Sequence, residues 1–131
     1  MATTFAASVL HMGVDEDLEV MMFGLADDPF DTMEYILFER SLEHDEQDIK
    51  LGLDRVYVEV GDQSRSSYGG IEEIAIGKNK VTIRVNDVTA LHLGTEKTMK
   101  VTVSTEYDPD RVKEFLMNMF EREPSVTIRL E

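Results

Sequence analysis

His44 stands in the densest run of ligand-type side chains in the chain, beside Glu43, Asp45, Glu46 and Asp48. An imidazole among carboxylates could hold a hard divalent cation. A calcium loop, however, needs Asp or Asn at alternate positions, a glycine at the tight turn and a late bidentate Glu. This run matches no such spacing, and a solvated acidic loop is the stronger reading, because charge runs are usually solvated or serve as interaction segments. His11 and His92 fall in strand-like contexts and read as hydrogen-bonded structural histidines. Ser64, Ser66 and Ser67 could supply a nucleophile, but no Gly-x-Ser-x-Gly turn presents one. Gly69-Gly70 is followed by no Gly-Lys-Ser/Thr, so it is not a phosphate loop. There are no cysteines, which removes thiolate nucleophiles, cysteine-ligated zinc and disulfides. The expectation is a protein with no catalytic residue, no metal and no cofactor.

What remains are polar and acidic loops of the kind that bind. Asp27, Asp28 and Asp31 form one group, Glu43, Asp45, Glu46 and Asp48 a second, and Asp62 to Tyr68 a third, with Arg65 and Tyr68 as anchors. Arg and Tyr are enriched among residues that carry binding energy. If the fold gathers these loops, they make one acidic surface; otherwise they are unrelated solvent loops.

The charge balance favours a partner. The chain has 131 residues, 27 acidic and 13 basic side chains, and a net charge of −14. The excess is uneven: residues 1–62 carry 16 acids and 3 bases, residues 63–131 carry 11 and 10. Such a field repels nucleic acid and anionic membranes and attracts basic proteins. No basic stripe interleaved with aromatics offers a nucleic-acid surface. No apolar run reaches a membrane span or forms a signal peptide, so a cytoplasmic protein is expected. The length suits a single domain over 1–131.

The elements that must position these loops are mostly strands. Phe5 to Met12 reads as the first and Leu18 to Leu25 as the second, apolar on both faces in its middle. Thr32 to Arg40 reads as strand on Tyr35, Ile36 and Phe38, with helix left open. Leu42 to Asp48 reads as loop or one helical turn. Val56, Val58 and Val60 alternate with Arg55, Tyr57 and Glu59 in a half-buried strand. After a polar loop, Tyr68-Gly69-Gly70-Ile71 suggests a bend where a Cβ would clash or φ must be positive. Gly70 to Ile76, Val81 to Val85, Thr89 to Leu93 and Met99 to Thr105 read as further strands. The period then changes. Asp108 is a natural N-cap with Pro109 behind it, and Val112, Phe115, Leu116, Met119 and Phe120 recur at helical spacing over about 108–121. Val126, Ile128 and Leu130 make a last strand. The expected fold is α+β: a mostly antiparallel sheet of eight or nine strands, one C-terminal helix packed on a sheet face, and a final strand.

Read as an ordered set, the segment from Glu34 to Ile74 resembles the bacterial immunity-protein family numbered ten, from polymorphic toxin systems. The resemblance rests on Tyr35-Ile36-Leu37-Phe38-Glu39-Arg40, Asp45-Glu46-Gln47-Asp48, Leu51-Gly52-Leu53-Asp54, Val56-Tyr57-Val58-Glu59, Gln63, and Ser67-Tyr68-Gly69-Gly70-Ile71. It implies a non-enzymatic cytosolic protein that binds and neutralises a cognate toxin domain encoded beside it. Motif residues such as Gly69 and Gly70 can equally serve the fold. Two other readings stay open: an acidic interaction or assembly module that homodimerises through an edge strand, and a small metal-dependent enzyme using His44.

Overall fold

The computed structural model describes residues 3–43, 49–50 and 55–131. Among the described residues, ten strands form two five-stranded sheets. The first is a simple antiparallel meander: β2 (Val9–Asp15), β3 (Val20–Ala26), β4 (Tyr35–Ser41), β5 (Tyr57–Val60) and β6 (Ser66–Tyr68), adjacent in chain order. The second is mixed, with spatial order β1 (Thr3–Ala7), β9 (Thr98–Val103), β8 (Lys80–Val85), β7 (Ile71–Ile76) and β10 (Thr127–Leu130). Its two edges pair in parallel, β1 with β9 and β10 with β7, while the interior pairs are antiparallel. The helices α1 (Asp87–Leu93) and α2 (Pro109–Met119) join them in an α+β fold in which strands predominate.

Period-2 alternation puts one row of each strand inward. Met21, Phe23 and Leu25 of β3, Ile36 and Phe38 of β4 and Val58 and Val60 of β5 join Ile74, Ile76, Val81, Ile83, Met99 and Val101 of the mixed sheet in one buried cluster. The stripe Val112, Leu116 and Met119 of α2 enters the same cluster. Phe38 stacks on Phe23 and meets Phe120, the residue capping α2, edge to face. The helix starts as the sequence predicts: the Asp108 carboxylate accepts from the Asp110 amide, with Pro109 at the first position.

Three expectations change. The strand read over Phe5 to Met12 is two strands, one in each sheet. Ser8 is the corner: its amide donates to Ala26 of the meander, while the Ser104 amide donates to Ala7 of the mixed sheet. A continuous alternation carries no mark of a change of sheet. The strand read over Thr89 to Leu93 is helix α1. Asn86 caps it, its side chain accepting from the Thr89 amide at 2.8 Å, and Gly94 ends it in the left-handed conformation at φ 66°. Thr89, Ala90 and Leu93 are its buried residues, a helical spacing that the apparent Leu91/Leu93 alternation masks. Finally, the polar loop after Asp62 contains the short edge strand β6, paired with β5 as Tyr57 opposite Tyr68 and Glu59 opposite Ser66.

The Tyr68-Gly69-Gly70-Ile71 bend is the crossover from the meander to the mixed sheet. Gly69 and Gly70 have φ of 79° and 92°. A Cβ on Gly70 would lie 1.8 Å from Thr89 Oγ1, and one on Gly69 2.6 Å from Arg55 Cδ. Both reasons anticipated for glycine, sign of φ and close approach, therefore apply here.

Candidate functional site

Alternate residues of the meander face away from the core, and no described element covers them. Pairing sets Leu37 opposite Glu59, Glu39 opposite Tyr57, and Tyr57 opposite Tyr68. The result is a cleft of about 540 Å³ lined by Leu37, Glu39, Tyr57, Glu59, Gln63 and Tyr68, among others. Glu59 is its unusual member. Although it points outward it is only 7% exposed. Its two carboxylate oxygens each accept from a tyrosine hydroxyl, one from Tyr35 and one from Tyr57 at 2.6 Å. Burial, then the hydrogen bond to Glu59, pushes the Tyr35 hydroxyl up to about 12; burial and the same carboxylate also raise Tyr57. Both hydroxyls therefore stay protonated donors. Glu39 is held above the ordinary carboxylate range, first by desolvation and then by the charge of Glu59. Among the described residues no ion pair reaches Glu39 or Glu59. The Tyr57 and Tyr68 rings stand beside the pair with centroids 5.2 Å apart, and Tyr68 is 50% exposed.

The outer face of the mixed sheet is a contrast. There Arg84 pairs with Glu72 and Glu73, Arg129 with Glu73, and Lys80 with Glu131. Four of the meander's five strands lie within residues 1–62, and four of the mixed sheet's five strands within residues 63–131.

The predicted loops divide between the two ends of the meander. Because β3 and β5 both run against β4, the β3–β4 and β5–β6 connections share one end, and the Gly61 amide donates to the Tyr35 carbonyl there. Asp27, Asp28, Asp31 and Asp62 are thus brought together. Glu43 lies at the other end, near the β2–β3 turn, where Leu42 donates to Glu19; that turn adds Asp15, Glu16 and Asp17. A seven-residue strand separates the ends by about 20 Å. Asp45, Glu46, Asp48 and His44 lie outside the described residues. Among the described residues no cluster of three or more metal-ligating side chains occurs.

Several of these side chains hold their own loops. Asp28 accepts from the amides of Phe30 and Asp31, both at 2.8 Å, which draws its carboxyl below the usual range. Asp27 accepts from the Met33 amide. Asp62 accepts from the amide and hydroxyl of Ser64, and is lowered by them. The Arg65 guanidinium donates to the carbonyls of Leu93 and Gly94 at the C-terminus of α1, where a cation is favourable. Tyr68 alone of the two anchors faces solvent in the cleft. His11 on β2 and His92 in the last turn of α1 are exposed surface residues, not buried structural ones.

Sequence reasoning missed Glu39, Glu59 and Phe30. The two glutamates sit on the polar side of their alternations and look like ordinary solvent-facing acids. Phe30, 97% exposed at the tip of the Asp27–Asp31 loop, is a lone aromatic with no periodic signal.

The family model described as Immunity protein 10 matches residues 6–113. No curated protein and no solved structure matches the chain.

Proposed function

Because the chain belongs to the immunity protein 10 family, we infer that it binds a cognate toxin domain and neutralises it without chemistry of its own, in the cytoplasm of the cell that makes both. The partner surface is basic. The observation that carries this reading is the segregation of charge: the acidic half of the sequence supplies four of the meander's five strands, and the two ends of that sheet bear Asp27, Asp28, Asp31 and Asp62 on one side and Glu43 on the other. Asp45, Glu46 and Asp48 follow Glu43 in sequence. Opposite fields steer two proteins together and orient them before contact. Tyr68 would contribute contact area, and Arg65 would keep the β5–β6 loop in place from behind.

Neutralisation is tested by co-expression. The C-terminal domain of the large protein encoded by the adjacent gene is expressed in a sensitive cell with and without this chain. Rescue of growth together with a purified stoichiometric complex supports the reading. Neither rescue nor complex sinks it and leaves an acidic assembly module.

A further inference from the structure

We propose that the outer face of the meander is the docking face, and that its cleft receives one arginine or lysine side chain of the toxin domain between the Glu39–Glu59 carboxylates and the Tyr57–Tyr68 rings. This rests on the immunity reading and names the place and chemistry of its contact.

The argument begins from an imbalance. Diagonal neighbours on one sheet face lie roughly 7 Å apart at the backbone, so Glu39 and Glu59 repel each other in a partly dry environment. A carboxylate pair so placed is relieved either by taking up a proton or by an opposite charge within about 4–6 Å. Among the described residues no ion pair supplies such a charge to either: of the two arginines bordering the cleft, Arg40 is committed to Glu121 at 3.0 Å and to the Asn118 carbonyl, and Arg55 lies over Gly69 at the rim. Glu59 is instead held by neutral donors, which fix its geometry without cancelling its charge. The cleft therefore keeps a positioned negative charge with aromatic faces next to it. Ring faces and carboxylates together are the groups that recognise a guanidinium or ammonium. The face also connects the two described acidic ends, so a partner laid along it meets Asp27, Asp28, Asp31 and Asp62 at one and Asp15, Glu16, Asp17 and Glu43 at the other.

The test uses the full chain and the toxin domain of the adjacent gene, with affinity from calorimetry and the footprint from amide hydrogen exchange. Glu39→Gln and Tyr68→Ala are chosen because neither removes a core side chain. The expected result is a loss of at least tenfold in affinity for each, with protection of β4, β5 and β6 in the wild-type complex. Binding within twofold of wild type for both, with these strands unprotected, overturns the docking face while the immunity reading stands. Protection of the same strands in the chain alone as its concentration rises assigns the face to a second copy and also overturns it. Absence of any complex with the wild-type chain removes both readings.

Discussion

Glu39 carries a charge that the fold would be more stable without. Its carboxyl sits above the ordinary value of 4.5, because of desolvation first and Glu59 second. Just above pH 4.5 the folded state keeps a proton that the unfolded chain has released. The Glu39 contribution to stability is therefore most favourable below that window and declines as pH rises through it, opposite in sign to that of Asp28 and Asp62, whose carboxyls are lowered. Tyr35 and Tyr57 remain protonated throughout this window, and the Glu39 contribution is isolated by comparing Glu39→Gln with wild type at each pH. Glu39→Gln is expected to melt at a higher temperature than wild type at pH 7, with the difference shrinking toward pH 4. An equal or lower melting temperature at pH 7 would mean that the carboxylate is compensated by a contact of its own. A group that weakens the fold and stands on an open face fits a role in binding. Gly70 has the opposite character, since its side-chain hydrogen is all the crossover can hold. Gly70→Ala combines φ of 92° with a 1.8 Å approach to Thr89 Oγ1, and should cost roughly 3 kcal/mol or more in chemical denaturation. A cost below about 1 kcal/mol would show that the crossover relaxes freely.

At the scale of elements, the legible parts were those whose signal is local and one-sided. Asp108-Pro109 followed by Val112, Leu116 and Met119 announces α2, because cap and stripe agree. The strand β5 follows from alternation, β3 from a stretch apolar on both faces and β4 from its β-forming residues Tyr35, Ile36 and Phe38; β7, β8 and β9 were also read as strands, and β4 resolves as strand. Helix α1 was missed although its signals were present: Asn86 as cap, Asp87 in the first turn, Gly94 at the end. Over seven residues these punctuation marks outweigh periodicity, and Leu91 and Leu93 gave a false period of two. The parallel edges and the corner at Ser8 have no local signal, since pairing partners are set by the whole topology. The binding loops were legible as polar, but not the ends they occupy. Neither was the turning of Arg65 from solvent to the α1 carbonyls legible. Asn86→Ala tests the weight given to the cap: it should lower unfolding free energy by about 1 kcal/mol, as read from the urea midpoint at unchanged slope. No shift in the midpoint would mean that α1 is held by Thr89, Ala90 and Leu93 packing alone.

On the scale of the whole molecule, the uneven charge of the sequence becomes a polarity of shape. Among the described residues, the strands and turns of the meander carry Asp15, Glu16, Asp17, Asp27, Asp28, Asp31 and Asp62, while the mixed sheet pairs charges across its outer face. A molecule of net charge −14 with the field concentrated on one sheet should approach a basic partner already turned toward it. Orientation is the step that holds most protein associations to about 10⁵–10⁷ M⁻¹s⁻¹, and steering relieves it. Salt removes the effect, because the screening length shrinks from about 30 Å at 0.01 M to about 8 Å at 0.15 M, below the roughly 20 Å span of the meander. Stopped-flow association with the toxin domain should therefore slow at least tenfold across that range of ionic strength. Dissociation should change much less, since it is governed by contacts already desolvated in the complex. The split between the two rates is the informative quantity. An association rate indifferent to salt would mean that the acidic face serves solubility and leaves recognition to shape. Equal salt dependence of both rates would mean that the charges remain solvated after docking, at the rim of the contact instead of under it.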